Sequence, residues 1–258
     1  MSGRLLLFDE IDSTQEEARR RFLAGVGGPL WVLAARQTAG RGRRQRAWQS
    51  PPGNLHLSLL FRPEAPLRRW PELSLLASLV AAKSIERLAA QSGRRELRED
   101  VALKWPNDVL LRGRKLGGIL LETVQAPHED GQRQALIIGW GINLATAPPA
   151  EEVRWPAIAL AETGLQPHPG LVFETLRDAF WRWYQVWQAH GARNVHQAWR
   201  KRAFGLGGMI RLRHGDEELR GRFVDIEPTG ALVMELPDGT RKMLHAGEVA
   251  GVEVKDRE

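Results

Sequence analysis

The sequence predicts a protein of both helices and sheets, with a larger first domain and a small β-barrel at its C-terminal end. Short apolar strands separated by turns fill much of the first part, and a leucine-rich helical period runs from Pro71 to Gln91. After Gly207 the strands become short and follow one another through tight turns, as in a small antiparallel barrel. We therefore expect domains at residues 1–205 and 206–258.

The first elements alternate strand, helix and strand. The apolar residues 5–8 predict a strand, and Ser13 with Glu16 stands at the spacing of a capping box, which predicts that a helix begins there. Residues 31–37 predict a second strand, and the alternating residues 54–61 predict a third. The segment between these two strands is therefore expected to be a loop.

The later elements follow from the same patterns. We expect the leucine-rich helix to be the main core helix, and a second helical region from Pro169 to Ala203 to break near Gly191. The remaining segments predict strands at 101–104, 109–111, 115–123, 135–145, 209–214, 219–227, 231–237 and 241–249.

Composition limits the possible classes. The chain has 258 residues, 43% of them hydrophobic and 26% charged, a formal net charge of +6 and no cysteine. Absence of cysteine excludes disulfides, cysteine-bound zinc and a thioester intermediate. No segment reaches the roughly 20 apolar residues of a membrane helix. We expect a cytoplasmic protein whose partners are anionic rather than a membrane.

An arginine run is the first candidate site. Residues 39–48 read A-G-R-G-R-R-Q-R-A-W. Charge alone would suit a nucleic-acid patch or a solvated loop. However, glycines that alternate with arginines let backbone N–H groups and guanidinium groups converge on one small anion. The sharper hypothesis is a carboxylate or phosphate site.

A second candidate is K-W-P-N-D at 104–108, followed by R-K-L-G-G at 114–118. The proline sets a turn, and Lys104 and Lys115 place positive charge on both sides of it. Any one of these residues, taken alone, is more often structural than functional. No P-loop or dinucleotide-binding fingerprint occurs in the chain, so any phosphate chemistry must be of another kind.

Five motifs in this order and spacing resemble the biotin protein ligases: D-S-T-Q at 12–15, Q-T-A-G-R-G-R-R-Q-R-A-W at 37–48, K-W-P-N-D, R-K-L-G-G-I-L-L-E at 114–122 and G-W-G-I-N at 139–143. The tail that ends in H-A-G-E-V resembles the family's C-terminal SH3-like domain. The resemblance implies an α+β fold: a mixed sheet with helices on one side, as in the class II aminoacyl-tRNA synthetase core, plus the SH3-like barrel.

The resemblance also implies a two-step reaction. Biotin and Mg-ATP would form biotinyl-5′-AMP, from which biotin would pass to a lysine of the biotin carboxyl carrier protein of acetyl-CoA carboxylase. Mg²⁺ would arrive with ATP and have no direct protein ligand. A lipoate or octanoyl ligase of the same fold remains an alternative, and a basic nucleic-acid-binding module is a more remote one.

Site residues follow from the same resemblance. Arg43 and Lys115 would be catalytic. Biotin would contact Ser13, Thr14, Gln15, Gln37, Gly40, Arg41, Gly42, Arg43, Lys115 and Gly118. ATP and the adenylate would contact Arg43, Arg46, Trp48, Lys104, Asn107, Asp108, Lys115, Asn143 and Trp155.

Two positions depart from the family pattern, and the DNA-binding segment of repressor-type members is not expected. A glycine is usual at Gln45 and a small residue at Trp140, so the loop conformation and the pocket floor are expected to differ. About a dozen residues precede D-S-T, too few for the helix-turn-helix of repressor-type members. We expect no sequence-specific DNA binding, and either a monomer or a homodimer.

Overall fold

The computed structural model describes residues 3–128, 131–215, 217–227 and 229–252. Its larger sheet has seven strands: β1 (Arg4–Ile11), β2 (Leu30–Gln37), β3 (Leu55–Phe61), β4 (Val101–Lys104), β5 (Asp108–Leu111), β6 (Arg114–His128) and β7 (Gly131–Ile142). They lie in the order β1-β2-β3-β7-β6-β5-β4, with β1 and β2 parallel and every other pair antiparallel. The sheet is mixed, as predicted.

Helices cover both faces of this sheet. They are α1 (Thr14–Leu23), α2 (Leu73–Gln91), α3 (Leu97–Asp100), α4 (Pro169–His190) and α5 (Arg193–Arg200). The main core includes α2, α4 and α5 on one face, whereas α1 packs Ala18 and Phe22 into a separate apolar cluster. The expectation of helices on one side therefore holds for the long helices but not for α1. None of the helices in the described ranges is long and apolar enough to cross a membrane.

Helix α1 begins at Ser13, but the capping box is only half formed. The Ser13 hydroxyl accepts a hydrogen bond from the Glu16 N–H at 3.5 Å. The Ser13 N–H donates instead to Asp12, at 2.7 Å, and the Glu16 carboxylate pairs with Arg41. Glu16 is thereby directed away from its own helix and toward the arginine run.

Strand β3 forms where the alternating residues predicted a strand, and it is buried on both faces. All seven residues are buried, including His56 and Ser58. The reason is position: β3 lies between β2 and β7, inside the sheet, where the main core with α4 covers one face and α1 covers part of the other. Polar residues on such a strand mark a polar interior, which here is the candidate site.

The second sheet contains β8 (Met209–His214), β9 (Glu217–Ile226), β10 (Leu232–Glu235), β11 (Arg241–Leu244) and β12 (Glu248–Val252), in the order β11-β10-β9-β8-β12. The segment 241–249, expected to be one strand, forms β11 and the start of β12. A turn separates them, because β11 pairs with β10 whereas β12 pairs with β8.

The two sheets share one apolar core and are joined by hydrogen bonds. The Trp105 indole donates to the Gly230 carbonyl at 2.9 Å, and the Lys104 ammonium donates to the Val249 carbonyl at 3.3 Å. The division at residues 205 and 206 stays a sequence-based prediction. What the contacts establish is that the K-W-P-N-D turn is braced by the second sheet.

Trp140 packs into the main core rather than into the candidate site. It is 1% exposed, lies 5.9 Å from Trp31 in a stacked arrangement, and donates to the Ala77 carbonyl of α2 at 3.0 Å. Side chains alternate along a strand, so the flanking Gly139 and Gly141 face the opposite side of the sheet. Trp140 is among the residues that line the cleft of the candidate site, but its large ring lies in the core on the other side of the sheet.

We expect Trp140→Ala to lower the free energy of unfolding by about 3–5 kcal/mol, the usual cost of truncating a buried aromatic residue. Chemical denaturation monitored by circular dichroism measures this. Leu7→Ala serves as the control, because Leu7 is 67% exposed and should cost far less. A change below 1 kcal/mol for Trp140→Ala would contradict the assignment of this ring to the core.

Candidate active site

A cleft with about 880 Å³ of empty space lies on the α1 side of the larger sheet, beneath the arginine run. Strands β3, β6 and β7 form its floor, and the start of α1, the 105–108 turn and the β11–β12 turn form its sides. The cleft brings together most of the residues expected from sequence: Ser13, Thr14, Gln15, Gln37, Arg41, Gly42, Arg43, Arg46, Trp48, Asn107, Asp108, Lys115 and Gly118.

Four expected residues lie elsewhere. Asn143 and Trp155 line an adjoining groove, which shares Arg46, Trp48, Asp108 and Lys115 with the cleft. Lys104 is buried behind Asp108 and reaches the site only through that carboxylate. Gly40 supports the loop: an added Cβ would lie 2.5 Å from the Trp48 carbonyl and from the Ser50 hydroxyl.

One end of the cleft is polar and closed. The Thr14 hydroxyl lies 2.8 Å from the Ser58 hydroxyl, which donates to the Gln15 side-chain oxygen at 3.1 Å. The Gln37 side-chain oxygen accepts from the N–H and the hydroxyl of Thr14, at 2.8 and 3.0 Å. Thr14, Gln15 and Ser58 are nearly inaccessible to water. A ligand that enters here must replace these hydrogen bonds with its own, which favours a ligand with both donors and acceptors.

The floor is bare backbone at two glycines of β7. An added Cβ at Gly139 would lie 2.7 Å from the Gln15 side-chain oxygen, and one at Gly141 would lie 2.5 Å from the Trp48 ring. The Trp48 ring thus lies flat against the strand, in the space that a side chain would fill. Both glycines lie in the G-W-G-I-N motif, but neither they nor Ser58 were among the site residues expected from sequence. The alternation of glycines along one strand was the available signal.

A buried carboxylate between two lysines forms the charged side of the cleft. Asp108 lies 3.0 Å from the Lys104 ammonium and 2.7 Å from that of Lys115. Burial by itself would raise the pKa of Asp108, but the two ammonium groups outweigh it and hold the pKa below its ordinary value. Lys104 is 1% exposed and also lies over the Trp155 ring, 4.4 Å from its centroid. Lys115 is the member of this trio whose side chain is open to the cleft.

Arg43 crosses from the arginine run to the opposite side of the cleft. Its guanidinium donates to the Asn107 side-chain oxygen at 3.3 Å and to the Gly247 carbonyl at 3.5 Å. Burial, and then the nearby charge of Arg44, lowers the pKa of Arg43. Both acceptors are neutral and both hydrogen bonds are long. The positive charge of this side chain is therefore uncompensated at contact distance, which suits it to an anionic ligand.

The departure at Gln45 has a backbone explanation. Arg44 and Gln45 have φ values of 56° and 59°, in the left-handed region that glycine adopts most readily. A non-glycine residue in this conformation costs about 1–2 kcal/mol. Gln45 also accepts a hydrogen bond from Arg41 at 3.4 Å. The loop therefore forms a left-handed turn at Arg44 and Gln45 even though position 45 is not glycine.

The β11–β12 turn supplies a part of the site that sequence reasoning missed. Glu248 lies 3.0 Å from Arg46, and the neighbouring Gly247 provides the carbonyl that Arg43 contacts. Burial alone would raise the pKa of Glu248, but Lys104 and Arg46 hold it below the ordinary value. H-A-G-E-V was noted only as a domain signature. Nothing in its spacing relates it to residues 200 positions earlier.

These features define what the cleft can do. The hydrogen-bonding end can accept a polar ligand group. Lys115 and Arg43 supply positive charge beside it, which favours anionic ligand groups at that position. No group of three or more His, Asp or Glu side chains within the described ranges could hold a metal ion.

We expect Asp108→Asn to lower the free energy of unfolding by about 3 kcal/mol at neutral pH, because removing one partner leaves a buried charge unpaired. The pKa of Asp108 is lowered in the folded state, so this stabilisation is present above its ordinary value of 3.8 and is lost as pH falls through the folded-state value. Urea denaturation of both proteins across this range measures the difference.

The matched control is Asp100→Asn, which breaks the exposed pair between Asp100 and Arg112 at 2.8 Å. Such surface pairs contribute at most about 1 kcal/mol. An equal loss in the two variants would show that Asp108 is not specially placed.

Comparison with known proteins agrees with this geometry. Residues 7–143, just over half of the chain, match the biotin/lipoate A/B protein ligase family, and residues 205–250 match the biotin protein ligase C terminal domain. The chain is 38% identical over 242 residues to the biotin--[acetyl-CoA-carboxylase] ligase of Paracoccus denitrificans, covering 92% of this chain and 96% of that protein.

Two further similarities span most of the molecule. The chain is 32% identical over 256 residues to the bifunctional ligase/repressor BirA of Escherichia coli, covering 96% of this chain and 74% of BirA. The fold is similar to that of the biotin protein ligase from Aquifex aeolicus in complex with biotin and ATP, with a TM-score of 0.77, 26% identity and coverage of 95% and 97%. The protein therefore belongs to the biotin/lipoate A/B protein ligase family.

Proposed function

We propose that this protein is an ATP-dependent biotin protein ligase, which makes biotinyl-5′-AMP and transfers biotin to a lysine of the biotin carboxyl carrier protein of acetyl-CoA carboxylase. The observation that carries the proposal is a single cleft with a closed polar end and a cationic middle. Biotin has a ureido group at one end and a carboxylate at the other, and the cleft offers each its complement in that order.

The polar end distinguishes biotin from lipoate. The ureido group has N–H donors and a carbonyl acceptor, which can replace the hydrogen bonds among Thr14, Gln15 and Ser58. The dithiolane of lipoate has no donor and only weak acceptors, so its binding would leave buried polar groups without strong partners. We therefore favour biotin. Calorimetric titration with each compound separately tests this choice, and tighter binding of lipoate would reverse it.

In the first step a biotin carboxylate oxygen attacks the α-phosphorus of ATP, and pyrophosphate leaves. Both reactants are anionic, so the positive charge must be in place before they meet. Lys115 and Arg43 are the candidates, and Asp108 holds the Lys115 ammonium at 2.7 Å. Each would contact the carboxylate or the phosphate at the reacting end.

In the second step the neutral amine of the carrier lysine attacks the carbonyl carbon of the mixed anhydride. An amide forms, AMP leaves with the electron pair of the broken C–O bond, and the amine releases a proton to solvent. The loop that contains Arg43 covers the reacting end and would shield the anhydride from water between the two steps.

The adjoining groove is the proposed nucleotide site. Trp48 offers a ring face to the adenine, and Asn143 and Trp155 line the rest of this groove. Mg²⁺ would arrive on the ATP phosphates and neutralise part of their charge, which agrees with the small number of carboxylates at the cleft. We further propose that the enzyme works in the cytoplasm, as a monomer or a homodimer.

The direct test incubates the purified protein with biotin, ATP and a carrier domain and follows the products by mass spectrometry. We expect AMP, pyrophosphate and a carrier that is heavier by one biotinyl group on a single lysine. An unmodified carrier, with no biotinyl-5′-AMP formed, would refute the proposal.

Lys115→Ala should slow formation of biotinyl-5′-AMP about a hundredfold or more, the effect of losing one preorganised charge of roughly 3 kcal/mol. Transfer from supplied biotinyl-5′-AMP should slow much less, since the biotin carboxylate has lost its charge in the mixed anhydride and the attacking amine is neutral, so two anions no longer have to meet. Single-turnover assays separate the two steps. Equal slowing of both would assign Lys115 a general rather than an adenylation-specific role.

Two glycine variants test the two ends of the cleft independently. Gly139→Ala should raise the KM for biotin about tenfold or more, because its Cβ would displace Gln15. Gly141→Ala should raise the KM for ATP instead, because its Cβ would displace the Trp48 ring. Steady-state kinetics with each substrate varied provide the measurement, and each variant is the control for the other. Identical effects on both substrates would contradict the division of the cleft.

We also propose that the protein is not a sequence-specific DNA-binding repressor. In support, the loop arginines Arg41 and Arg46 are paired with carboxylates, and α4 and α5 bury Trp187 and Trp199 in the core. Titration against a biotin operator and a scrambled duplex at near-physiological salt should show equal, salt-sensitive binding. A biotin-dependent preference of tenfold, about 1.4 kcal/mol, would overturn this proposal.

A further inference from the structure

The base of the arginine run is held by a four-member charge network. The Arg41 guanidinium pairs with the Glu16 carboxylate of α1 and lies 3.7 Å from the Glu122 carboxylate of β6. Arg19 of α1 completes the network, at 3.6 Å from Glu16 and 3.3 Å from Glu122. Two positive and two negative groups therefore balance, and both carboxylates belong to regular elements of the main sheet and its helix.

The tip of the loop is attached differently. Arg43 contacts only neutral oxygens, on Asn107 and Gly247, at 3.3 and 3.5 Å. Arg41 has one carboxylate in hydrogen-bond contact, that of Glu16, and a second, that of Glu122, 3.7 Å away, whereas Arg43 has no carboxylate at contact distance. The loop thus has a base, Arg41, which ion pairs hold to α1 and to the main sheet, and a tip, Arg43, which reaches across the cleft.

Gly42 separates the base from the tip. An added Cβ at Gly42 would meet one atom within 4 Å, the Arg46 carbonyl oxygen at 3.6 Å, so no side chain packs against this residue, and its N–H donates to the same oxygen, within the loop, at 2.7 Å. Rotation at this residue can move Arg43 while Arg41 stays in place. The two arginines of R-G-R, which look equivalent in sequence, differ in what surrounds them.

We propose that Arg41 is a positioning residue, which Glu16 and Glu122 fix as the base of the loop so that Arg43 closes over the adenylate in one place. This inference rests on the proposed ligase function for its catalytic consequence, though not for the anchoring itself. If the anchor is weakened, Arg43 samples more positions, and the enzyme retains biotinyl-5′-AMP less well. Formation of the adenylate, which depends also on Lys115, changes less.

Glu122→Gln is the variant of choice. It removes one negative charge from the network while it keeps the side chain's size and all arginines of the loop. Glu16 is less suitable because it lies in the first turn of α1, where a negative charge also stabilises the helix. The matched control is Glu10→Gln, which removes the ion pair of 2.7 Å between Glu10 and Arg36 on β1 and β2, away from the loop.

Trypsin reports on the loop directly, since it cleaves after arginine and the loop contains Arg41, Arg43, Arg44 and Arg46. In the free protein we expect Glu122→Gln to be cut within residues 41–47 about fivefold to tenfold faster than the wild type, with an unchanged melting temperature. Release of biotinyl-5′-AMP, followed by stopped-flow chase, should be about tenfold faster, which corresponds to about 1.4 kcal/mol. Glu10→Gln should match the wild type in both assays.

Arg41→Lys is the second variant, in case Glu122→Gln is less stable. Lysine keeps the charge and the tryptic site but presents a point charge in place of a planar fork, so it bridges two carboxylates poorly. The double variant should release the adenylate little faster than either single variant, since both changes remove the same interaction. Cleavage and release rates equal to those of Glu10→Gln would overturn the inference. If the wild type makes no biotinyl-5′-AMP, the ligase proposal fails, and the trypsin assay still decides whether the network anchors the loop.

Discussion

The structure of the site depends on one buried carboxylate, that of Asp108. It lies at the start of β5, at the end of the 105–108 turn, and it holds the Lys104 and Lys115 ammonium groups at 3.0 and 2.7 Å. Lys104 continues to the Val249 carbonyl of the second sheet. A charge that is nearly removed from water must be neutralised by charges of opposite sign within contact distance. The contacts that neutralise Asp108 therefore connect the edge of the larger sheet, the second sheet and the floor of the cleft.

Strand β7 shows how one strand serves two purposes. Its period of two sends Trp140 toward α2 and leaves Gly139 and Gly141 on the side of the cleft. The large ring stabilises the core, and the two glycines let Gln15 and Trp48 approach the backbone. A large residue at position 140, where the family pattern has a small one, is therefore compatible with an open cleft, because the Trp140 ring lies on the opposite face of the sheet.

Much of the fold was predictable from the sequence because local patterns decide it. The helix that contains Leu75 to Leu88, the break near Gly191 and the turn at Pro106 all follow from spacing, glycine or proline within a few residues. The burial of both faces of β3 could not be predicted in this way, because burial of a central strand depends on elements far away in the chain. For the same reason Ser58, Gly139 and Glu248 were missed as members of the site.

The sequence by itself determined which residue types were available and in what order: glycines that alternate with arginines, two lysines around a W-P-N-D turn, and a second group of strands after Gly207. Only the tertiary structure decided which charges meet. Arg41 and Arg43 are two residues apart and identical in type, yet Arg41 pairs with carboxylates from α1 and β6 while Arg43 faces neutral oxygens. Electrostatic interactions depend on distance in space and on burial, and neither is written in local sequence.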